Sequence, residues 1–286
     1  MIVPKLHHYV PQFYLNYFST KDSRLWVWDK KEDRTFCSTA KNLACESNFY
    51  LLDGFISSSE LNPLEMEIQF SEVESAAAMI FAKIFMESRI TPFGQKLKIS
   101  KGERSSLALY IALQFLRTAD TREIIGLLSL GKQEIMVEPN ELGALHASIL
   151  WDQKVLDSFV TYLIGGVWTF AKNETGSKFA TSDNPVCFRT KDNSMWRKAN
   201  ILGDGTYVVF PLNPELILYV YPKHQKYVNL RKFNNCISPV IFTANMVENE
   251  NTGQAFMSSR FVISDNSDFE KIRSFAATIG TDRYKR

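Results

Sequence analysis

Cysteine, histidine and long apolar runs are all scarce in this chain, and each scarcity removes a class of function. The four cysteines, Cys37, Cys45, Cys187 and Cys236, form no Cys-x-x-Cys pair, which argues against a zinc knuckle. The longest apolar runs, Leu107 to Leu116 and Ser75 to Met86, are too short and too interrupted to cross a bilayer, so no membrane partner is expected. The segment Met1 to Leu6 lacks the apolar stretch of a secretory signal, and reduced thiols in a cytoplasm are the simplest reading. Charge of one sign is also missing. Lys and Arg total 33 against 31 Asp and Glu, a net of +2, which argues against a strongly electrostatic DNA binder but leaves a local basic patch open. Gly203-Asp204-Gly205 lacks the third glycine and the following helix of a nucleotide loop. The serines lie in no Gly-x-Ser-x-Gly elbow. No complete catalytic motif is present.

What is present is ordinary globular material, with 45% hydrophobic and 22% charged residues. The length suffices for one large domain or two smaller ones. Leu25 to Trp28 and Arg34 to Cys37 flank the charged turn Asp29 to Asp33 and predict a hairpin, with Asn48 to Leu52 as a candidate third strand. Asn62-Pro63 caps a helix running to about Glu87, whose buried face would carry Met66, Phe70, Val73, Ala77, Ile80 and Ile84. Ser100-Lys101-Gly102-Glu103 has capping-box spacing. It opens a second helix, apolar almost all round from Leu107 to Leu116 and therefore central to a bundle. A third helical stretch follows Thr121, and a fourth runs from beyond Pro139-Asn140 to before Gly165-Gly166. After that the chain turns β-like at Val167 to Phe170, Val186 to Phe188, Tyr207 to Phe210 and Leu216 to Val220. Asn213-Pro214 marks a turn between the last two. The stretch from Phe233 to Phe256 reads as mixed and partly helical, and Arg260 to Ser264 as a last strand. The fold class is α+β: a helical bundle in the middle of the chain (58–164) packed with a β-rich N-terminal part (1–55) and a mixed β C-terminal part (165–286).

Two of only four histidines stand together in His7-His8-Tyr9-Val10-Pro11-Gln12-Phe13-Tyr14-Leu15. Pro11 disfavours helix at Val10 and suits the first turn of one. The histidines are therefore expected in an extended segment and Pro11 to Phe18 in a short helix. Adjacent residues of an extended segment face opposite ways, so only one imidazole can serve a given pocket.

Three further constellations carry polar chemistry. In Thr181-Ser182-Asp183-Asn184-Pro185-Val186, Asp183 is either the closing residue of a structural turn or a strand-end carboxylate used as ligand, base or histidine orienter. Gln114 is the one amide among apolar residues on the second helix. Its helix face continues into Arg117, Thr118 and Thr121, with Arg122 just beyond. The arginines suit carboxylate or phosphate oxygens, or simply tie helices together. Glu67 and Glu74 share one face of the preceding helix. They would be a solvated flank, partners for the arginines, or ligands for a divalent metal ion. His146 and His224 are isolated and read as packing or loop residues.

His8 to Leu15 with Phe18 resembles the opening of a large bacterial family of unknown function, described by its His-Tyr-Val-Pro-Gln-Phe-Tyr-Leu motif. Thr181 to Val186 is similar to that family's Thr-Ser-Asp-Asn-Pro-Val motif. Gln114, Arg117-Thr118, Arg122 and Phe210-Pro211-Leu212-Asn213-Pro214 look like its intermediate landmarks. The resemblance spans nearly the whole chain. It implies one integrated domain over residues 1–286 and favours His8 over His7, and it brings no established activity.

Two functions are compatible with these residues. The leading one is a hydrolase of a phosphodiester or nucleotide-like substrate, with nucleic acid or a nucleotide as partner; the kind of family the chain resembles implies a nuclease in a bacterial defence setting. In the hydrolase His8, Asp183 and Arg117 would be catalytic, while Gln12, Gln114, Arg122, Ser182 and Asn184 would bind substrate. Glu67 and Glu74 would join His8 and Asp183 around a divalent metal ion if one is used. The other is a non-catalytic ligand-binding or protein-interaction module, in which the same residues form a buried network that fixes the fold. An open cleft holding His8, Asp183 and Arg117 together favours the enzyme, and mutual satisfaction away from solvent favours the module.

Overall fold

Residues from both ends of the chain share one sheet. The computed structural model describes residues 6–47, 63–121, 145–146, 148–150, 152–198 and 201–279. Strands β2 (Leu25–Asp29) and β3 (Arg34–Ser38) form the expected hairpin. Its turn is tied by Asp29, whose Oδ1 accepts the N–H groups of Lys31 and Glu32 at 3.1 and 3.3 Å. Strand β12 (Phe261–Ser264) pairs antiparallel with β2 on one side and with β6 (Thr181–Ser182) on the other, giving the order β3-β2-β12-β6.

A small antiparallel pair, β1 (Leu6–His8) with β4 (Cys45–Ser47), sets His8 opposite Cys45. Helix α1 (Gln12–Asn16) follows directly, and Pro11, still extended at ψ 143°, is its N-cap rather than its first residue. The predicted strand Asn48 to Leu52 lies outside the described residues, and Cys45 to Ser47 is the strand seen here.

Helix α2 (Pro63–Ile90) begins at the predicted proline and runs past Glu87. Helix α3 (Lys101–Leu116) has the expected capping box. The Ser100 hydroxyl accepts the Glu103 N–H at 3.2 Å, and the Glu103 carboxylate accepts the Ser100 N–H at 2.7 Å. Helix α4 (Gln153–Gly165) is capped by Asp152, so the helix that ends at Gly165 starts later than Pro139-Asn140 implied. The helical stretch expected after Thr121 falls outside the described residues. Helix α3 packs between α2 and α4, which is why nearly every residue from Leu107 to Leu116 is buried. At the exit from α4, a Cβ on Gly166 would lie 2.7 Å from Val220 and 2.8 Å from the Tyr221 carbonyl, so glycine is needed for that approach.

The remaining strands are β5 (Val167–Lys172), β7 (Cys187–Arg189), β8 (Trp196–Arg197), β9 (Tyr207–Asn213), β10 (Leu216–Tyr221) and β11 (Cys236–Ile237). They make a six-stranded sheet in the order β11-β5-β10-β9-β7-β8. Helix α5 (Ala244–Met257) packs on β6, β7 and β8, and a further helix beyond the last expected strand, α6 (Glu270–Ile279), packs on α5. The architecture is α+β, with helices in the middle and strands at both ends. No helix among the described residues is long and apolar enough to cross a membrane.

Candidate functional site

The short helix α1 presents two faces, and they divide the opening motif. Tyr14, Leu15 and Phe18 point inward and are fully buried. Tyr14 stacks on Phe210 at 5.3 Å and meets the edge of Phe81. Its hydroxyl donates to the Pro211 carbonyl at 2.8 Å. With that proton spent, the Thr181 hydroxyl 2.7 Å away must donate to the Tyr14 oxygen. The opening motif, the Thr181 segment and the Phe210-Pro211 segment therefore meet through one tyrosine.

The other face of the opening motif borders a cleft of about 340 Å³ between α1 and α2. Its polar lining is His8, Gln12, Ser71, Glu74 and Ser75, and Phe13 and Phe70 supply much of the rest. His8 is half-buried, with Nε2 3.0 Å from the Lys41 carbonyl oxygen. His7 is 2% exposed and turned into the protein.

Arg117 lies directly behind this cleft, only 2% exposed at the C-cap of α3. Its Nη1 donates to Glu74 Oε1 at 2.6 Å and its Nη2 to Gln114 Oε1 at 2.7 Å. The guanidinium also sits 5.3 Å from the centre of the Phe70 ring. Gln114 in turn donates to the Tyr9 carbonyl at 3.1 Å. A buried amide and a buried guanidinium thus share a hydrogen bond and tie the opening motif to α2 and α3. Glu74 alone of this set keeps substantial solvent contact, at 28% exposure. The Tyr110 hydroxyl is buried beside Arg117 and Glu74, and burial holds its pKa well above the ordinary value.

Asp183 is elsewhere. It is 2% exposed and absent from the cleft lining. Its carboxylate accepts three backbone N–H groups, from Ser259 at 2.9 Å, Arg260 at 2.7 Å and Phe261 at 2.8 Å, and so clamps the start of β12. Burial pushes its carboxyl up to about 6, against the lowering effect of those N–H groups and of Lys30. Ser182 donates to Gln254 Oε1 at 2.8 Å and accepts the Asn184 N–H. Asn184 donates to Asp120 Oδ2 at 3.0 Å.

Asp120 was not singled out from the sequence. It forms a buried ion pair with Lys198, and burial raises its pKa against the pull of that lysine. Its position inside the Gln114 to Arg122 segment was a signal, but nothing in the sequence connects it to Lys198.

The three segments that resemble family motifs therefore converge through Gln114–Tyr9, Tyr14–Thr181 and Asn184–Asp120, while His8 and Asp183 serve different places. Arg122 and the side chain of Glu67 lie outside the described residues. Glu74 reaches the cleft with His8, and among the described residues no three His, Cys, Asp or Glu side chains gather as a metal ion would require.

A family model described as protein of unknown function (DUF4238) matches residues 6–268. The chain belongs to that family. The match starts at the His7-His8 segment and extends beyond β12, so all three convergent segments fall inside it. No curated protein and no solved structure matches the chain.

Proposed function

We propose that this protein is a ligand-binding module whose recognition cleft is lined by His8, Gln12 and Glu74, and whose remaining motif residues hold that cleft in shape. One observation carries the reading: Arg117 and Asp183 are closed from solvent and engaged by protein groups. A catalytic arginine must reach substrate oxygens and a catalytic carboxylate must reach a proton in flight. Here both are committed to structure.

The cleft volume sits at the lower end of small-molecule sites. Its walls offer an imidazole, an amide, two serine hydroxyls and a carboxylate beside two phenyl rings. That set suits a small polar molecule with a planar ring and hydrogen-bonding edges, such as the base of a nucleotide. The Glu74 charge is offset by Arg117, so the described lining of the cleft holds no cationic surplus for a bare phosphate.

The second reading is a hydrolase of a nucleotide-like or phosphodiester substrate. The observation that favours it is that His8 and Glu74, both able to move protons, line the same cleft. One experiment separates the two. Purified protein is incubated with a panel of nucleotides, RNA and DNA, with and without Mg²⁺ or Mn²⁺, and both retention and product are measured. The module retains a ligand and returns it unchanged, and His8→Ala and Gln12→Ala lose retention. Product formation by the parent that vanishes in folded His8→Ala would establish the hydrolase instead.

A further inference from the structure

A second cleft, apart from the His8 site and independent of how that site is read, is lined by four cations, two asparagines and a serine beside Leu97 and Ile99. It has a volume of about 670 Å³ and lies where α2, the 96–100 segment and the Arg231 to Asn235 turn meet. Its cations are Lys83, Lys96, Lys98 and Arg231. Among the described residues no carboxylate lines it. Glu87, which accepts the Lys98 N–H at 2.8 Å, and Glu103 lie beside the lining, and the four cations still leave a local excess of positive charge in a chain whose net charge is only +2.

Lys83 is already held by Glu103, whose carboxyl it and the Ser100 groups pull down to about 2. Glu103 also occupies the N-terminus of α3 through the capping box, so the helix end adds little. Lys96, Lys98 and Arg231 are exposed and make no ion pair among the described residues.

The deciding feature is Arg104, underneath. Its Nη1 donates to Asn234 Oδ1 at 3.2 Å and to Asn235 Oδ1 at 2.6 Å, and its Nη2 donates to the Gly166 carbonyl at 2.5 Å. Its guanidinium stacks 4.6 Å from the Trp168 ring centre. All of these partners are neutral, so among the described residues no carboxylate pairs with it. Burial lowers its pKa to about 10, which leaves it charged at neutral pH. Arginine has only donors, so each asparagine must turn its oxygen toward Arg104 and its amino group away. Asn234 is fixed further by the Trp168 N–H, 3.0 Å from the same oxygen. Both asparagines line the cleft. The orientation of the amides is thus set from below, and what they can offer a ligand is N–H.

From this arrangement we infer that the cleft is a binding site for an oligophosphate group, a chain of neighbouring phosphates as carried by a nucleoside triphosphate. Lys96, Lys98 and Arg231 supply charge, and Asn234 and Asn235 supply directed neutral donors. A lone phosphate would meet only part of this surface, whereas a run of phosphates can engage cations on more than one wall.

The test is isothermal titration of the full chain with inorganic tripolyphosphate, with orthophosphate, and with a short single-stranded oligonucleotide lacking terminal phosphate. Tripolyphosphate should bind saturably and at least about tenfold more tightly than orthophosphate, since one further charge-assisted contact is worth about that factor. The triple variant Lys96→Ala/Lys98→Ala/Arg231→Ala should keep its melting temperature, because those side chains are exposed, and lose the binding. Asn235→Asp places a carboxylate against Arg104 and in the cleft. It should weaken tripolyphosphate binding while leaving stability equal or higher. Absence of saturable heat, or equal binding by the triple variant, would overturn the inference. So would tighter binding of the oligonucleotide than of tripolyphosphate, which would mean that the cleft reads a nucleic-acid strand.

Discussion

Arg117 is a charged motif residue held nearly out of water. It is held by Glu74 and Gln114, which accept its protons, and by Phe70, which covers its face. The pair is asymmetric, since Glu74 can hydrate if it loses its partner and Arg117 cannot. Glu74→Ala should therefore cost up to about 3 kcal/mol, the lower end for breaking a buried ion pair, because Gln114 still accepts from the guanidinium. Arg117→Met, which keeps the apolar stem, should cost less. The double variant should be more stable than Glu74→Ala alone, and urea unfolding of the three variants checks this. Additive losses would mean that the two side chains act independently. Asp183 poses a contest between burial, which raises its pKa, and three N–H groups, which lower it. With the folded value near 6 and an unfolded value of about 3.9, the folded protein binds the proton more tightly. The proton-linked part of its contribution to stability is then full below about pH 4 and falls away as pH rises toward 6, while the three N–H bonds to the carboxylate remain above that range. The gap in unfolding free energy between the parent and Asp183→Asn should narrow across that interval. A gap that widens would show that the N–H groups dominate and that the carboxyl is held down.

The elements explain why some of this was legible in the sequence and some was not. Local signals named their elements well. The Ser100–Glu103 box, the Pro63 start, the charged hairpin turn and the Asn213-Pro214 turn all act within a few residues. The all-round apolar face of α3 correctly implied a helix between two others. The partners of isolated polar residues were not legible, because Asp120 finds Lys198 and Asp183 finds Ser259 to Phe261 only across the fold. The placement of β12 between β2 and β6 is likewise a long-range pairing without a sequence signature. Tyr14 is the link between α1, β6 and β9. Tyr14→Phe removes its bond to the Pro211 carbonyl and leaves that buried acceptor and the Thr181 hydroxyl short of a partner. A loss of roughly 1–3 kcal/mol is expected, read from urea unfolding. A variant as stable as the parent would mean that stacking on Phe210 alone holds α1 in place.

At the scale of the whole molecule, the sheet β3-β2-β12-β6 ties residues 25–38 to residues 181–182 and 261–264. Neither end of the chain can leave without breaking strands of the other. Far-ultraviolet circular dichroism and tryptophan fluorescence should therefore report one coincident unfolding transition. Two separated transitions would mean that the ends fold independently. The His8 cleft rests on this frame through Gln114–Tyr9 and Tyr14–Thr181, so residues that look catalytic in the motifs should behave as supports. Melting temperatures of Arg117→Ala, Asp183→Ala, His8→Ala and Gln12→Ala, measured beside the parent, test that most directly. At about 2–4 °C per kcal/mol for a chain of this size class, the first two should melt roughly 6–12 °C lower, for losses of about 3 kcal/mol. His8→Ala and Gln12→Ala, which give up at most one exposed hydrogen bond, should stay within roughly 4 °C of the parent. Arg117→Ala and Asp183→Ala melting with the parent would contradict the account and return both residues to the list of groups that act on a ligand.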